Sequence, residues 1–317
     1  MSQIAANEKT EKRKQLPMLI LFVEKRWVRP ISFVFAFSFL IISPAFALDA
    51  VRFPVSQQAD LESHNNYSVE ILRLAIQKSG TKLTLVPVLS QLNKIRTLAE
   101  LVDGNSIDVV WGGATQERES IMLPIRICFM KGLSGWRIPL VTKKNSDLFA
   151  KVHNLNDLRK FTAGQGYHWS DTQLLVASGI KVERSYEVEF LFRMLEAGRF
   201  DYFPRSVMEI WNEFDAHQEM DIAIDSYIVL HYPSPTYFYV KKGNKKLADI
   251  IQRGLEVAIK DGSFDRIFYA FHAKEILNAK LETRKIIELN NPFLTPETPL
   301  ERKELWFNIE DLKKIKN

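Results

Sequence analysis

Residues 107–126, with the sequence IDVVWGGATQERESIMLPIR, decide the fold of this chain. The apolar run that ends at Trp111 predicts a buried β-strand, and the glycine pair after it allows the backbone to turn sharply or to lie close to a ligand. Ligands of open α/β sheets bind beyond the carboxyl ends of the strands, where the planar guanidinium of Arg118 can bind a carboxylate. Arg118 is therefore a candidate ligand contact. The alternative is a solvated arginine paired with Glu117 or Glu119.

The same stretch also resembles a known family. Asp108, Thr115 and the pair Glu117 and Arg118 resemble the core motif of family 3 bacterial solute-binding proteins, which are periplasmic binding proteins of type 2 fold that serve polar amino acid uptake. The resemblance implies that Arg118 holds the α-carboxylate of a bound amino acid. It also implies an α/β fold of two lobes, each a mostly parallel sheet flanked by helices, joined by two crossing hinge strands. Three further candidate contacts in this stretch are Trp111, Gly113 and Thr115.

The length of 317 residues exceeds one typical hydrophobic core, so two lobes are expected. Strand and helix patterns alternate from residue 48 onward, which indicates βαβ units and a largely parallel sheet. The resemblance covers about residues 48–271 and divides the chain into lobe 1 (48–138 and 234–317) and lobe 2 (139–233). Within lobe 2, the pattern predicts a strand at 199–203 and a helix at 206–214.

The basic balance of the whole chain comes from its first segment. Residues 1–47 contain seven Lys and Arg but only three Glu, so the rest of the chain has a formal net charge of +1 instead of +5. A body this close to neutrality argues against nucleic acid as a partner.

The amino-terminal segment has the pattern of a secretory signal. A basic region is followed by the uncharged run ISFVFAFSFLII and by small residues that predict cleavage after Ala47. The run is short for a membrane-spanning helix. The expected location is therefore the periplasm, with residues 1–47 removed. The long basic region leaves open a later start at Met18 or retention of the segment as an anchor.

A second candidate site is the lobe 2 loop at residues 164–169, with the sequence GQGYHW. Its glycines expose backbone N–H groups before a predicted helix, which suits an anion. Its aromatic side chains can stack on a ligand or hold an ammonium group. The family uses its corresponding loop for ligand contact, so four candidate residues are Gly166, Tyr167, His168 and Trp169. The alternative for Trp169 is an anchor in the core.

Arg205 and Trp136 complete the candidate site. Amino acid binders of the family carry an aspartate near the position of Ser206, and this sequence has Arg205 beside it. An arginine facing Arg118 across a cleft would favour a ligand with more than one negative group. Alternatively, Arg205 pairs with Glu209 on a helix. Trp136, like Trp111, is expected to wall the cleft.

No catalytic or metal pattern accompanies these candidates. Cys128 is the only cysteine, and the six histidines are scattered in the sequence. We therefore expect no cofactor, no metal and no catalytic residue. An enzyme on the same fold, of the cyclohexadienyl dehydratase kind, would need an acid–base group, for which the candidates are His168, Glu183 and Glu187.

The function expected from the sequence is periplasmic binding of a small polar, carboxylated solute by a monomer that closes at its hinge. The partner would be an ABC permease in uptake or a membrane sensor in signalling. The dehydratase alternative would be separated from both by a turnover assay.

Overall fold

The computed structural model of this chain describes residues 50–55, 62–89, 94–104 and 106–316. The predicted signal peptide at 1–47 and its cleavage site lie outside these ranges. None of the helices within them is long and apolar enough to cross a membrane.

Strands and helices alternate through most of these ranges. The strands are β1 (Ala50–Val55), β2 (Thr84–Leu89), β3 (Val109–Gly113), β4 (Met122–Ile125), β5 (Trp136–Thr142), β6 (Thr162–Gly166), β7 (Lys181–Ser185), β8 (Phe203–Ser206), β9 (Ile222–Ile224), β10 (Ile228–His231), β11 (Thr236–Lys241) and β12 (Lys285–Glu288). The helices are α1 (Glu62–Lys78), α2 (Lys94–Asp103), α3 (Gln116–Ile121), α4 (Leu155–Leu158), α5 (Ser170–Ala177), α6 (Val188–Glu196), α7 (Ile210–Ala216), α8 (Lys245–Lys260), α9 (Ser263–Asn278) and α10 (Leu312–Lys316).

Lobe 1 contains the strand pair β1-β2 and a three-stranded sheet of order β3-β11-β4. β1 and β2 pair in parallel, and the Asp108 amide donates to the Arg52 carbonyl (2.9 Å), which places the start of β3 beside β1. β11 pairs antiparallel with both β3 and β4. β3 and β4 therefore run parallel to each other, and β11, which returns from lobe 2, runs against both.

Lobe 2 contains the strand pair β6-β7, and β5 and β8 belong to a sheet of order β12-β10-β5-β8 in which β9 also pairs with β5. β6 and β7 are parallel, and a parallel bridge between Ala163 and Tyr202 places the chain entering β8 beside β6. β5 pairs antiparallel with β8 and β9. β5, which runs against β8 and β9, is the strand that arrives from lobe 1.

The hinge lies where the two lobe connections touch. β5 and β10 pair antiparallel through Arg137 with Leu230 and Trp136 with His231. The Tyr232 amide donates to the Gly135 carbonyl (3.2 Å) at the same crossing. The predicted α/β fold of two lobes with crossing strands is confirmed.

Helix α1 shows why the lobe 1 elements pack as they do. Its side chains at the helical spacing of three and four residues, Ile71, Leu72 and Ala75, are fully buried. Helix α8 lies against this face at Gly254, where a Cβ atom would lie 1.7 Å from the Ala75 carbonyl oxygen. Glycine at this position therefore lets the two backbones touch.

One part of lobe 2 differs from the pattern prediction. The strand expected at 199–203 is β8, which begins at Phe203, and the helix expected from 206 begins at Ile210. Asp201 is held outside the strand because its carboxylate accepts from the Thr162 amide (2.7 Å). The shift places Arg205 inside β8, opposite Ile138.

The carboxyl-terminal segment crosses the hinge and returns to lobe 1. β12 pairs in parallel with β10. Further along, Arg302 binds Glu256 through two nitrogens (2.7 and 2.9 Å), and the Phe307 amide donates to the Lys131 carbonyl (2.7 Å). β12 and the segment after it thus lie against β10 and against part of lobe 1.

The Arg52–Asp108 pair predicts a pH-dependent stability. Burial disfavours the Asp108 carboxylate, but hydrogen bonds from the Arg52 guanidinium (2.8 Å to each carboxylate oxygen) and amide (2.8 Å) outweigh it and lower the pKa of Asp108. Because the folded pKa lies below the unfolded value of about 4, the stabilisation is complete above that value and is lost as the pH falls through the folded pKa.

We expect Asp108→Asn to lower the free energy of unfolding at pH 7 by about 2 kcal/mol, since it removes hydrogen bonds to a charged group. The difference between the two proteins should shrink as the pH is lowered toward 3. Urea denaturation at several pH values measures it. A stability difference between wild type and Asp108→Asn that stays constant with pH would contradict the lowered pKa of Asp108.

Candidate functional site

Arg118 lies at the carboxyl end of β3, in the short helix α3. The hydroxyl of Thr115 caps this helix by accepting from the Arg118 amide (3.2 Å). The Arg118 guanidinium folds back and donates through Nη1 to the Gly113 carbonyl. Thr115 and Gly113, both predicted contacts, therefore position the half-buried Arg118.

The glycine pair gives the guanidinium its room. A Cβ atom at Gly112 would lie 3.2 Å from Nη1 of Arg118, and one at Gly113 would lie 4.0 Å from it. Trp111, just before the pair, is half-buried and contacts the rings of Phe53 (6.4 Å) and Phe238 (6.1 Å). The close approach of Arg118 to this turn depends on the absence of a side chain at Gly112.

Arg118 has no ion pair with a carboxylate in the part of the chain that the structure describes. Glu119, one of its possible partners, accepts instead from Arg126 (2.5 Å) and from the Thr295 hydroxyl (3.1 Å). Glu117 is exposed and makes no ion pair with Arg118 within the described ranges. The interpretation of Arg118 as a solvated, acid-paired loop charge is therefore not supported.

The lobe 2 loop turns tightly at the end of β6. The Trp169 amide donates to the Gly166 carbonyl (3.1 Å), and a Cβ atom at Gly166 would lie 2.4 Å from the Trp169 ring. The same ring lies parallel to Phe203 (6.2 Å between centroids, 13° between planes). Trp169 thus packs inward, in agreement with the alternative that it is an anchor in the core. Its ring lies directly against Gly166.

Tyr167 and His168 point outward from the same loop. Tyr167 stacks on Tyr186 (4.5 Å, 20°), and the His168 ring meets both tyrosines edge-on (5.1 and 5.5 Å). The Arg184 guanidinium lies 5.9 Å over the Tyr167 ring. These side chains form an exposed aromatic surface, and Tyr186 is a member that the sequence interpretation missed.

Arg205 is buried, and two carboxylates neutralise its charge. Its guanidinium binds Glu213 (2.6 and 2.5 Å) and approaches Glu209 (3.2 Å), and it lies 4.7 Å from the Trp169 ring. Burial opposes the charge, but the glutamates outweigh it and raise the pKa of Arg205. The expectation of a free cation facing Arg118 needs correction, because Arg205 is committed to lobe 2.

A second buried arginine, Arg137, joins the loop to the hinge. It pairs with Asp171 in the first turn of α5 and donates to Glu209 (3.3 Å) and to the Tyr232 hydroxyl (3.2 Å). Burial opposes its charge, but Asp171 leads the partners that raise the pKa of Arg137. Sequence reasoning missed this network because its members are far apart along the chain.

Trp136 lies at the hinge rather than on an open wall. It is buried, its ring lies 4.0 Å from the His231 ring at a 31° tilt, and it meets Phe307 edge-on (5.8 Å). Its expected role as a cleft wall needs correction, because the carboxyl-terminal segment covers it.

The acid–base candidates lie on the surface of lobe 2. Glu183, Glu187 and His168 are exposed on lobe 2, and the ring contacts of His168 are with the two tyrosines. Among the described residues, no group of three or more His, Cys, Asp or Glu side chains could hold a metal ion.

Comparisons with known proteins identify the fold. No known protein-family profile matches the chain, and no curated protein matches it by sequence. Solved structures do match. The probable amino-acid ABC transporter extracellular-binding protein YtmK from Bacillus subtilis is 14% identical, with 71% of this chain and 97% of that chain covered and a TM-score of 0.54. An ancestral arginine-binding protein bound to glutamine is 20% identical, with 70% and 97% covered and a TM-score of 0.50.

These matches confirm the two-lobed type 2 periplasmic binding protein fold. At such identities they establish the fold and leave the ligand to be inferred from the residues of this chain.

Proposed function

We propose that this protein binds a small carboxylated solute between its two lobes and closes on it at the hinge. The observation that carries the proposal is the burial and hydrogen bonding of the Arg118 guanidinium. This guanidinium is half-buried at the carboxyl end of β3, hydrogen-bonded to the Gly113 carbonyl and without an ion pair to any described carboxylate. A carboxylate of the solute would complete its bonding through two parallel N–H···O hydrogen bonds.

Two other arginines near the same ends of the sheets can be compared with Arg118. Arg137 and Arg205 are each bound to carboxylates of lobe 2, and both are structural cations. Arg118 therefore differs from them in having bonding capacity left for a ligand. The solute needs one negative group rather than the two that a free Arg205 would have favoured.

The topology supports a site that both lobes contribute to. Arg118 follows the carboxyl end of β3 in lobe 1, and Tyr167 follows the carboxyl end of β6 in lobe 2. Ligands of open α/β sheets bind at these ends. Ligand contacts from both lobes would favour the closed form and shift the population toward it. We further propose that the protein acts in the periplasm, with a membrane permease or sensor as its partner.

A thermal-shift screen against amino acids, monocarboxylates, dicarboxylates and short peptides tests the proposal. A ligand at 100 times its Kd stabilises the folded state by about 2.7 kcal/mol. We expect at least one carboxylated compound to raise the melting temperature and expect Arg118→Ala to abolish that rise. Arg253→Ala, at an exposed arginine of α8, is the matched control and should leave the rise unchanged. A ligand whose effect survives Arg118→Ala would remove Arg118 from the site.

A further inference from the structure

We infer that the solute carries an aromatic ring beside its carboxylate and that this ring stacks on Tyr186. The inference rests on the function proposed above and adds the chemical class of the substrate. It starts from Tyr167 and Tyr186, which are exposed on lobe 2 and stacked on each other.

The two tyrosines are brought together by the sheet. Gly166 at the end of β6 is in register with Ser185 at the end of β7, and the Tyr167 amide donates to the Ser185 carbonyl (2.8 Å). Tyr167 and Tyr186 are the residues that directly follow these two strand ends. Both rings therefore stand beyond the carboxyl ends of strands in lobe 2, as Arg118 stands beyond the carboxyl end of β3 in lobe 1.

Tyr186 is the open member of the pair. Tyr167 is contacted by Tyr186, by the edge of His168 and by the Arg184 guanidinium. The ring contacts of Tyr186 within the described residues are with Tyr167 and His168. Its exposed fraction of 69% is the largest of any large hydrophobic side chain described, against 45% for Tyr167. Tyr186 therefore has an aromatic surface left for a ligand.

The surroundings favour a ring over a cation. Tyrosine faces can hold either an ammonium group or a second ring. Arg184 already places a cation 5.9 Å over the Tyr167 ring, and its charge would repel a cationic ligand group. Aromatic rings prefer offset stacking, which extends the existing Tyr167–Tyr186 stack by one layer. In the closed form of the proposed function, an aromatic carboxylate would bind Arg118 through its carboxylate and Tyr186 through its ring.

Two pairs of ligands isolate the contribution of the ring. 3-Phenylpropanoate is compared with 3-cyclohexylpropanoate, and L-phenylalanine with L-cyclohexylalanine, by isothermal titration calorimetry. Within at least one pair we expect the aromatic member to bind about tenfold more tightly, at the upper end of aromatic pair energies. Tyr186→Leu should remove this preference while changing the affinity for the saturated member by about twofold or less. Phe190→Leu, at an exposed aromatic residue of α6 (53%), should keep the preference.

The outcomes separate the two proposals. Equal binding of aromatic and saturated members, abolished in both by Arg118→Ala, would overturn the aromatic inference and leave the carboxylate function standing. The aromatic inference is overturned in the same way if neither pair binds while another carboxylate from the screen does. If no carboxylate binds at all, the proposed function fails, and the aromatic inference fails with it.

Discussion

Arg137→Met is expected to lower the free energy of unfolding by about 3–5 kcal/mol, because it breaks a buried ion pair. The side chains of Arg137 and Asp171 are 9% and 11% exposed, and Glu209 shares the same guanidinium. Removing one partner of a buried pair leaves the other charge buried without compensation, which costs about this much. Urea denaturation followed by circular dichroism measures the loss.

A double substitution distinguishes the charge effect from lost packing. Arg137→Met combined with Asp171→Leu removes both charges and should recover much of the stability, because apolar replacements of a buried pair are often neutral. Arg253→Met, at an exposed site, should change the stability by about 0.5 kcal/mol or less. If the double variant is no more stable than Arg137→Met alone, the buried ion pair is not the cause.

Gly135→Ala is expected to destabilise the protein by about 3 kcal/mol, because it overpacks the hinge. A Cβ atom at Gly135 would lie 1.9 Å from the Tyr232 carbonyl oxygen and 3.1 Å from the Ser234 Cβ. The strain would fall on the crossing where the Tyr232 amide donates to the Gly135 carbonyl. Thermal and urea unfolding report the cost.

Gly243→Ala is the matched control for the hinge substitution. No atom lies within 4 Å of a Cβ built at Gly243, and its φ is not positive. Alanine there should therefore leave the stability unchanged or raise it by about 0.5 kcal/mol through the unfolded chain. Equal stabilities of the two alanine variants would show that the crossing strands are not packed as tightly as described.

Local patterns were sufficient for the helices with clear ends. The sequence pattern by itself predicts a helix at residues 245–260 and a helix that continues through Ala177, and the structure has α8 at 245–260 and α5 ending at Ala177. In α8 the apolar spacing is strong, and the Asn244 side chain caps the first turn by accepting from the Leu247 amide (3.2 Å). Both signals lie within the segment itself, so no tertiary information is needed to read them.

The strands that depend on distant partners were harder to place. β8 contains Pro204, which pairs with Pro139 of β5, and proline within a run argues against a strand. β12 exists through its parallel pairing with β10, more than fifty residues earlier in the chain. Pairing over such distances leaves no local periodicity that identifies it.

The residues of the candidate site also divide into those that local sequence identifies and those that depend on distant partners. The position of Arg118 after a buried strand and a glycine pair was readable from the sequence. Two ion pairs, Arg205 with Glu213 and Arg137 with Asp171, show which arginines are bound within lobe 2. The pair of Arg137 with Asp171 depends on tertiary contacts. Tyr186 could have been found by noting that it follows β7 as Tyr167 follows β6.

The most direct test of the proposed carboxylate site is the side-chain NMR signal of Arg118 during titration with the carboxylate identified by the screen. The Arg118 Nε–H resonance of the labelled protein is assigned by its loss in Arg118→Lys. We predict that this resonance moves with the bound fraction of ligand, while those of Arg137 and Arg205 move less. A ligand that saturates the protein and leaves the Arg118 resonance in place would contradict the claim that this guanidinium receives the solute.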